Sequence, residues 1–406
     1  MSQKPKSPLG LIFLTIFIDM VGFGIVLPIL PLSVEEGRFG ASPLAMGLLM
    51  GIYSLLQLVF APVFGKISDR VGRKPVLVVS ILGTAAGFAI LGAAQTLAML
   101  FLGRIIDGIS GGNIATAQAC IADVTPPDQR SKSMALIGAA FGLGFVFGPA
   151  MGGVLSERYG FSTPFYVAAG LALLNAVLVM RFLPETHSKE NRADERATLG
   201  EVFRAEHGTM IGLILLAYLT SITGFSIMTA LFAVFCKKHF GLAKDDIGYL
   251  LAYIGVLGIF IQGGLVRRLM RRPIEKQLAL IGAAVLSLSL FLLPMAGSVP
   301  RVMWVCVGLA LGNGFITPML NGLVSRHTSA RAQGRVLGLM QSSGSLGRFA
   351  GFSMAFWLLE FESVDAHYGR VPFWVGAGLL VVTFFLVAMV SPQRKAEPSA
   401  SPVPQS

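Results

Sequence analysis

The sequence has 406 residues, of which 54% are hydrophobic and 13% are charged, and its mean hydropathy is +0.72. Soluble domains carry about 25% charged residues, so this composition excludes an ordinary soluble enzyme. The formal net charge of +11 would suit nucleic acid only if the cations formed a face on a soluble domain. They lie instead in short segments between apolar stretches, so we expect a membrane protein that does not bind nucleic acid.

Twelve apolar runs, each long enough to cross a bilayer as a helix, follow one another along the chain. The first six lie near 9–32, 44–65, 75–95, 97–122, 133–155 and 162–183. The second six lie near 209–236, 246–266, 277–296, 301–324, 335–359 and 371–391. The first run is too long for a signal-peptide core and has no small-residue cleavage site, so we expect it to stay as helix 1.

A long polar stretch divides the chain after the sixth run. We expect an N-terminal six-helix bundle at 1–183, a cytoplasmic linker at 184–208, a C-terminal six-helix bundle at 209–392 and a disordered cytoplasmic tail at 393–406. The segment 65–75 is echoed by 263–273 in the second half, which indicates a duplicated unit. Such repeats place a substrate site near the bilayer midplane, where the two units meet.

The Lys and Arg residues are distributed unevenly between alternate connections. Of the 32 cations, 23 lie on the side that carries both chain ends, 7 lie on the other side, and Arg104 and Arg348 lie within helices. The side richer in Lys and Arg stays cytoplasmic. We therefore expect an inner-membrane, multi-pass protein with both termini in the cytoplasm.

Asp19 lies ten residues into helix 1, roughly 15 Å along its axis at 1.5 Å per residue. That is about the middle of a hydrocarbon core roughly 30 Å thick. An ionised Asp there costs about 2.5 to 3.5 kcal/mol, so the group is suited to take up and release a proton. The alternative is an Asp held permanently by a hydrogen bond to a neighbouring helix.

Helix 4 carries Arg104 and Asp107, which are three residues apart and therefore share a face. One interpretation is a self-neutralising ion pair. The other is that Arg104 exchanges partners with Asp19 or with substrate, so that protonation of Asp107 follows the exchange. We assign Asp19, Asp107 and Arg104 to proton coupling.

The loop between helices 2 and 3 contains Gly65, Asp69, Arg70, Gly72, Arg73 and Lys74. These residues match, position by position, the loop signature of the major facilitator superfamily, which the chain therefore resembles. Gly144, Gly148, Pro149, Gly152 and Gly153 resemble the helix 5 signature of its proton-coupled antiporters. Two segments resemble its tetracycline-efflux group. The first runs from Asp19 to Gly24 and is followed by Pro28 and Pro31, and the second is 121–123. Pro184, Glu185 and Thr186 are also familiar from the superfamily.

This resemblance implies an all-α membrane protein whose twelve transmembrane helices form two pseudo-symmetric six-helix bundles, the major facilitator fold. It also implies a gating loop in which Asp69 faces the start of helix 11, near Gly334 and Arg335, and Arg70 pairs with Asp123. A loop that serves only membrane topology is the alternative. The helix 5 glycines at four-residue spacing suit close helix packing, and by resemblance they favour antiport.

The second half contributes polar residues to the predicted cavity but no acidic residue. Arg348 on helix 11 is a contact for an anionic substrate, a partner for Asp19 or Asp107, or a structural cation. The other predicted cavity residues are polar or aromatic and lie on several helices: Phe23, Tyr53, Gln57, Phe225, Asn313 and Gln341.

We expect no catalytic centre, metal or cofactor. The histidines lack metal spacing, the three cysteines lie in apolar runs, and no phosphate-binding loop occurs. The sequence predicts a proton-coupled exporter of amphiphilic drugs or small metabolites, working as a monomer in the bilayer with protons as the coupling ion. A symporter or uniporter of a sugar or organic anion is the first alternative, and a receptor that transports nothing is the second.

Overall fold

The computed structural model describes residues 8–35, 37–125, 130–186, 208–270, 274–328, 332–362 and 369–391. All the regular structure in these ranges is helical. The predicted tail at 393–406 lies outside the described residues, as does nearly all of the predicted linker, so their boundaries stay predictions.

Six long helices form the first half of the chain. They are α1 (Leu9–Glu35), α2 (Pro43–Val71), α3 (Arg73–Ala93), α4 in two segments (Leu97–Ser110 and Asn113–Val124), α5 (Arg130–Tyr159) and α6 (Ser162–Phe182). Two of them begin at side-chain caps: Ser42 and Thr96 accept hydrogen bonds from the backbone N–H three residues later, at 3.2 and 3.3 Å. Such caps satisfy N–H groups that a helix start leaves without a partner.

Six more helices form the second half. They are α7 (Gly208–Phe240), α8 (Lys244–Phe260, continued by a π-helical turn at Ile261–Val266 and by Arg267–Leu269), α9 (Glu275–Leu292, ending in a 3₁₀ turn at Leu293–Met295), α10 (Val299–Arg326), α11 (Gln333–Leu359) and α12 (Arg370–Met389). The described residues thus contain the twelve long helices that the sequence predicts.

Eleven of the twelve helices are long and apolar enough to cross a membrane, so the protein is a multi-pass membrane protein. The exception is α11. At 27 residues it has ample length, but it includes Gln333, Arg335, Gln341 and Arg348. Arg335 and Arg348 are half-buried, and α11 packs between α2 and α7.

Helix contacts in the first half recur in the second half with the helix number raised by six. Thus α1 packs on α5 as α7 packs on α11, and α3 packs on α6 as α9 packs on α12. Between the two bundles, α2 packs on α11 and α5 packs on α8. Changing each helix number by six turns one of these pairs into the other. The two predicted pseudo-symmetric bundles are therefore present.

The bundles are closed together on one side. We call the side where α1 begins and α12 ends the near side, and the opposite side the far side. On the far side, Leu44 N donates to Glu360 at 3.3 Å and Lys244 N donates to Glu157 at 3.3 Å. In the part of the chain that is described, no extensive contact joins either segment of α4 to α10. We interpret the space between the bundles as facing the near side.

The glycines of α5 serve two different helix contacts. A Cβ built on Gly148 would lie 2.6 Å from the carbonyl oxygen of Val21, and one built on Gly152 would lie 2.8 Å from that of Ile25. A Cβ on Gly153 would instead lie 3.1 Å from the Cα of Asp245 on α8. One face of α5 therefore holds α1 inside the first bundle, and another closes the far side against α8.

Candidate functional site

A narrow cavity, too tight to hold a water molecule, lies inside the first bundle. Its lining comes from α1 to α4 and consists of Asp19, Phe23, Tyr53, Thr84, Phe88, Asp107 and Gly111. Four of these, Asp19, Phe23, Tyr53 and Asp107, are residues that the sequence analysis assigned to proton coupling or to the substrate cavity. The structure brings both predicted interior acids to one place.

Asp19 is held by Asn113, a residue that is not among the predicted site residues. Asn113, buried at the start of the second α4 segment, donates from Nδ2 to Asp19 Oδ2. Asp19 Oδ1 and Asn113 Oδ1 are both buried, and neither has a hydrogen-bond partner among the described residues. Asp19 therefore contacts a neutral amide rather than an arginine.

Helix α4 is interrupted at Gly111 and Gly112, directly before Asn113. An interruption inside a membrane is tolerated only if side chains satisfy the backbone groups it frees. Ser80 on α3 donates to the carbonyl of Ser110, and Gln57 Nε2 donates to the carbonyl of Gly111 at 3.0 Å. The interruption lets Asn113 begin a new segment facing α1.

Arg104 and Asp107 form the ion pair that their spacing predicted. Arg104 Nη1 lies 3.1 Å from Asp107 Oδ2, with the two side chains 1% and 5% exposed. Arg104 also donates to the carbonyl of Met50 at 3.3 Å and lies over the ring of Tyr53, 4.7 Å from its centroid. Its Nε has no hydrogen-bond partner in the described part of the chain. Arg104 is therefore committed to Asp107 and α2 in this conformation.

Gln57 connects the first bundle to Arg348 in the second. Its Oε1 accepts from Arg348 Nη2 at 3.1 Å and from Ser345 Oγ at 3.3 Å, and its Nε2 donates to Tyr53 Oη at 3.3 Å. Arg348 forms no ion pair with any residue that the structure describes; its hydrogen bonds go to Gln57 and, at 2.9 Å, to Ser345. The interior of the second bundle thus carries a cation without a carboxylate partner.

The remaining predicted cavity residues lie apart from this group. Phe225 is half-buried and packs against the core, Asn313 accepts a hydrogen bond from Thr317 at 3.4 Å, and Gln341 is exposed. None of the three lines the cavity described above.

The predicted gating loop centres on Arg73. Its guanidinium lies 2.7 Å from Asp69, 3.0 Å from Asp123 and 2.7 Å from Ser68 Oγ. The predicted pairing of Asp123 with Arg70 is wrong, because Asp123 pairs with Arg73. Arg70 is exposed at the last turn of α2, whereas Arg73 opens α3 and points back into the angle between α2 and α4. The contact between Asp69 and the start of α11 stays a prediction.

Glu185, which lies just after α6, binds the end of the same loop where α3 begins. Its carboxylate accepts hydrogen bonds from the backbone N–H groups of Arg73 at 2.8 Å and Lys74 at 3.2 Å. These are the first N–H groups of α3, where a helix dipole stabilises an anion. The position follows Gly72, whose φ of 108° allows α3 to start directly after α2. Glu185 therefore caps α3.

Comparison with known proteins agrees with this architecture. The sequence pattern of the Major Facilitator Superfamily matches residues 12–352. The chain belongs to this superfamily. It is 31% identical to the class E tetracycline resistance protein of Escherichia coli over 391 residues, 94% of this chain and 95% of that protein. It is 30% identical to the major facilitator superfamily domain-containing protein 10 of Bos taurus, over 97% of this chain and 95% of that protein.

A solved structure is similar over nearly the whole chain. It is the crystal structure of the human organic anion transporter MFSD10, with a TM-score of 0.74 and 25% identity, and the match covers 95% of this chain and all of that one. The protein is thus a superfamily transporter with tetracycline-resistance homologues and an organic-anion-transporting structural neighbour. Membership of this superfamily indicates transport rather than catalysis.

Proposed function

We propose that the protein is a proton-coupled exporter of amphiphilic compounds that works by alternating access. The observation that carries the proposal is the meeting of Asp19 with the Arg104–Asp107 pair in one interior cavity. Ionisable groups at such depth are costly, and in membrane proteins they mark ion or substrate pathways. The tetracycline-resistance homologues support export, and the α5 glycine signature supports antiport.

In this mechanism the conformation described here is inward-facing. The near side carries most of the cations and both chain ends, so we assign it to the cytoplasm, with the protein in the inner membrane. Substrate enters from the near side between the bundles, and its binding favours proton release from Asp19 or Asp107. A proton taken up from the far side then restores the cycle.

The test uses purified protein in proteoliposomes with a pH indicator inside. For an exporter, adding substrate on one side drives protons in the direction opposite to substrate. The Asp19→Asn variant is expected to lose proton-driven accumulation while it keeps exchange of labelled for unlabelled substrate, because exchange needs no net proton transfer. Proton movement parallel to substrate, or none, contradicts antiport.

Arg348 favours a second candidate function, the transport of organic anions. An interior cation without a carboxylate partner is a ready contact for an anionic substrate, and the structural neighbour MFSD10 is described as an organic anion transporter. A bound proton that strengthens the binding of an anion would make the two cross the membrane together, which is symport. The same vesicles separate the two candidates, because substrate and protons then move together.

A further inference from the structure

Asp19 and Asn113 together leave two oxygen atoms without hydrogen-bond partners. Asn113 Nδ2 donates to Asp19 Oδ2, while Oδ1 of each residue is buried and unpartnered among the described residues. Buried polar atoms in folded proteins nearly always have a partner. An ionised carboxylate only accepts hydrogen bonds, whereas a protonated carboxyl also donates one.

We infer that Asp19 and Asn113 form a carboxyl–carboxamide pair that holds the transported proton between their two Oδ1 atoms. The amide N–H donates to Asp19 Oδ2, and the protonated Oδ1 of Asp19 donates to Asn113 Oδ1. One proton, taken from water and later returned to water, therefore satisfies both atoms without any other bond changing. The inference rests on the proposed proton-coupled function and assigns Asn113 as a positioning residue for the proton.

The charged groups around the pair are consistent with this role. Asp107 and Tyr53 line the same cavity, and Arg104 is already engaged by Asp107. The helices α5, α6, α7 and α8, which also pack on α1, carry their charged residues only in or near their terminal turns. No described cation forms an ion pair with Asp19, so a neutral, protonated carboxyl suits its surroundings.

The break in α4 gives the pair a way to open. Asn113 is the first residue of the second segment, and that segment packs on α2 and α3 as well as on α1. A movement of that segment relative to α1 separates the amide from the carboxyl and removes the acceptor for the proton. Substrate binding that displaces the segment is thereby linked to proton release.

Infrared difference spectroscopy of the full-length protein in D₂O tests the pair without any substrate. A protonated Asp19 gives a carboxyl C=O band that disappears in Asp19→Asn. If Asn113 holds the proton, Asn113→Leu shifts this band to higher wavenumber, because a carboxyl that loses hydrogen bonds has a stiffer C=O bond. Proton-driven accumulation falls several-fold in the same variant, while substrate exchange is kept.

Asn175→Leu is the matched control. Asn175 is another fully buried asparagine, and it contacts Thr15, one turn before Asp19 on α1, at 3.2 Å. The same chemical change there is expected to leave the Asp19 band in place. A band that is insensitive to Asn113→Leu, or that shifts equally in Asn175→Leu, overturns the pair. Absence of any Asp19 band between acid and alkaline pH contradicts the proposed proton coupling itself.

Discussion

At the scale of single residues, the side chain of Gln57 forms hydrogen bonds with residues of both bundles. Its oxygen accepts from Arg348 of the second bundle, and its nitrogen donates to the carbonyl of Gly111 at the break in α4. The amide group of Gln57 therefore connects Arg348 to the turn that precedes Asn113. A movement of Arg348 can displace that turn and so change the position of Asn113 relative to Asp19. Gln57 joins the candidate anion contact to the candidate proton site.

We predict that Gln57→Glu weakens the binding of anionic substrates. The new carboxylate pairs with Arg348 and occupies the cation that an anion would use. A hydrogen bond to a charged group contributes about 1.5 to 3 kcal/mol, so KM for an anionic substrate should rise by about tenfold or more. The measurement is transport kinetics in vesicles with an anionic substrate and an uncharged analogue.

Ser345→Ala serves as the control for this prediction. It removes a neighbouring hydroxyl that also bonds to Gln57 and Arg348 but introduces no charge. It should change KM for the two substrates to the same small extent. Equal KM values for anionic substrate in Gln57→Glu and the unchanged protein would show that Arg348 does not bind the anion.

The depth of a residue along its helix can be predicted from sequence, but its partners often cannot. Asp19 and Asp107 stood out because acids are costly in an apolar run, and they do meet. Asn113 gave a weaker signal, because an amide in a membrane helix is common and its partner lies on a helix that is remote in sequence. The Gly111–Gly112 pair before it was the available clue to a break.

At the scale of helices, the α2–α3 turn is organised by Arg73. The side chain is 7% exposed and joins Asp69 at the end of α2 to Asp123 at the end of α4. The spacing of charges along the loop predicted a cluster. It did not distinguish Arg70 from Arg73, because that choice depends on the direction in which each side chain leaves the turn.

We predict that Arg73→Met destabilises the protein much more than Arg70→Met does. Breaking a fully buried pair costs about 3 to 5 kcal/mol, and we expect about 2 to 3 kcal/mol here because the two carboxylates are 34% and 27% exposed. Thermal unfolding of the purified variants in detergent measures the difference. Equal losses of stability would contradict a central role for Arg73, since Arg70 is the exposed cation of the same turn.

At the scale of the whole molecule, alternating access requires the far side to open. Closure there depends on α2 against α11 and on α5 against α8, where glycines bring the backbones together. A Cβ built on Gly51 would lie 3.2 Å from Ser353 Oγ on α11. This separation matches the distance between a Cβ and the sulfur of the opposite residue in a disulfide of ordinary geometry.

We predict that a Gly51→Cys, Ser353→Cys variant forms a cross-link on mild oxidation and then stops transporting. The disulfide holds the far side closed, and a reducing agent should restore transport. The reduced double variant is the control, because it has the same crowding against Phe349, whose Cδ2 would lie 2.9 Å from a Cβ on Gly51, but no cross-link. The natural cysteines Cys120, Cys236 and Cys306 are buried, so they should not compete. Normal transport by fully cross-linked protein would show that this contact need not separate.

The polarity of α11 has a consequence for how the chain is made. On biological insertion scales an arginine at a helix centre disfavours entry into the bilayer by about 2.5 to 3.5 kcal/mol, and Arg348 lies near the middle of this helix. A nascent α11 emerging alone from the translocon would therefore partition poorly into lipid. We therefore expect the integration of α11 to depend on α2 and α7, which precede it in the chain and pack on it.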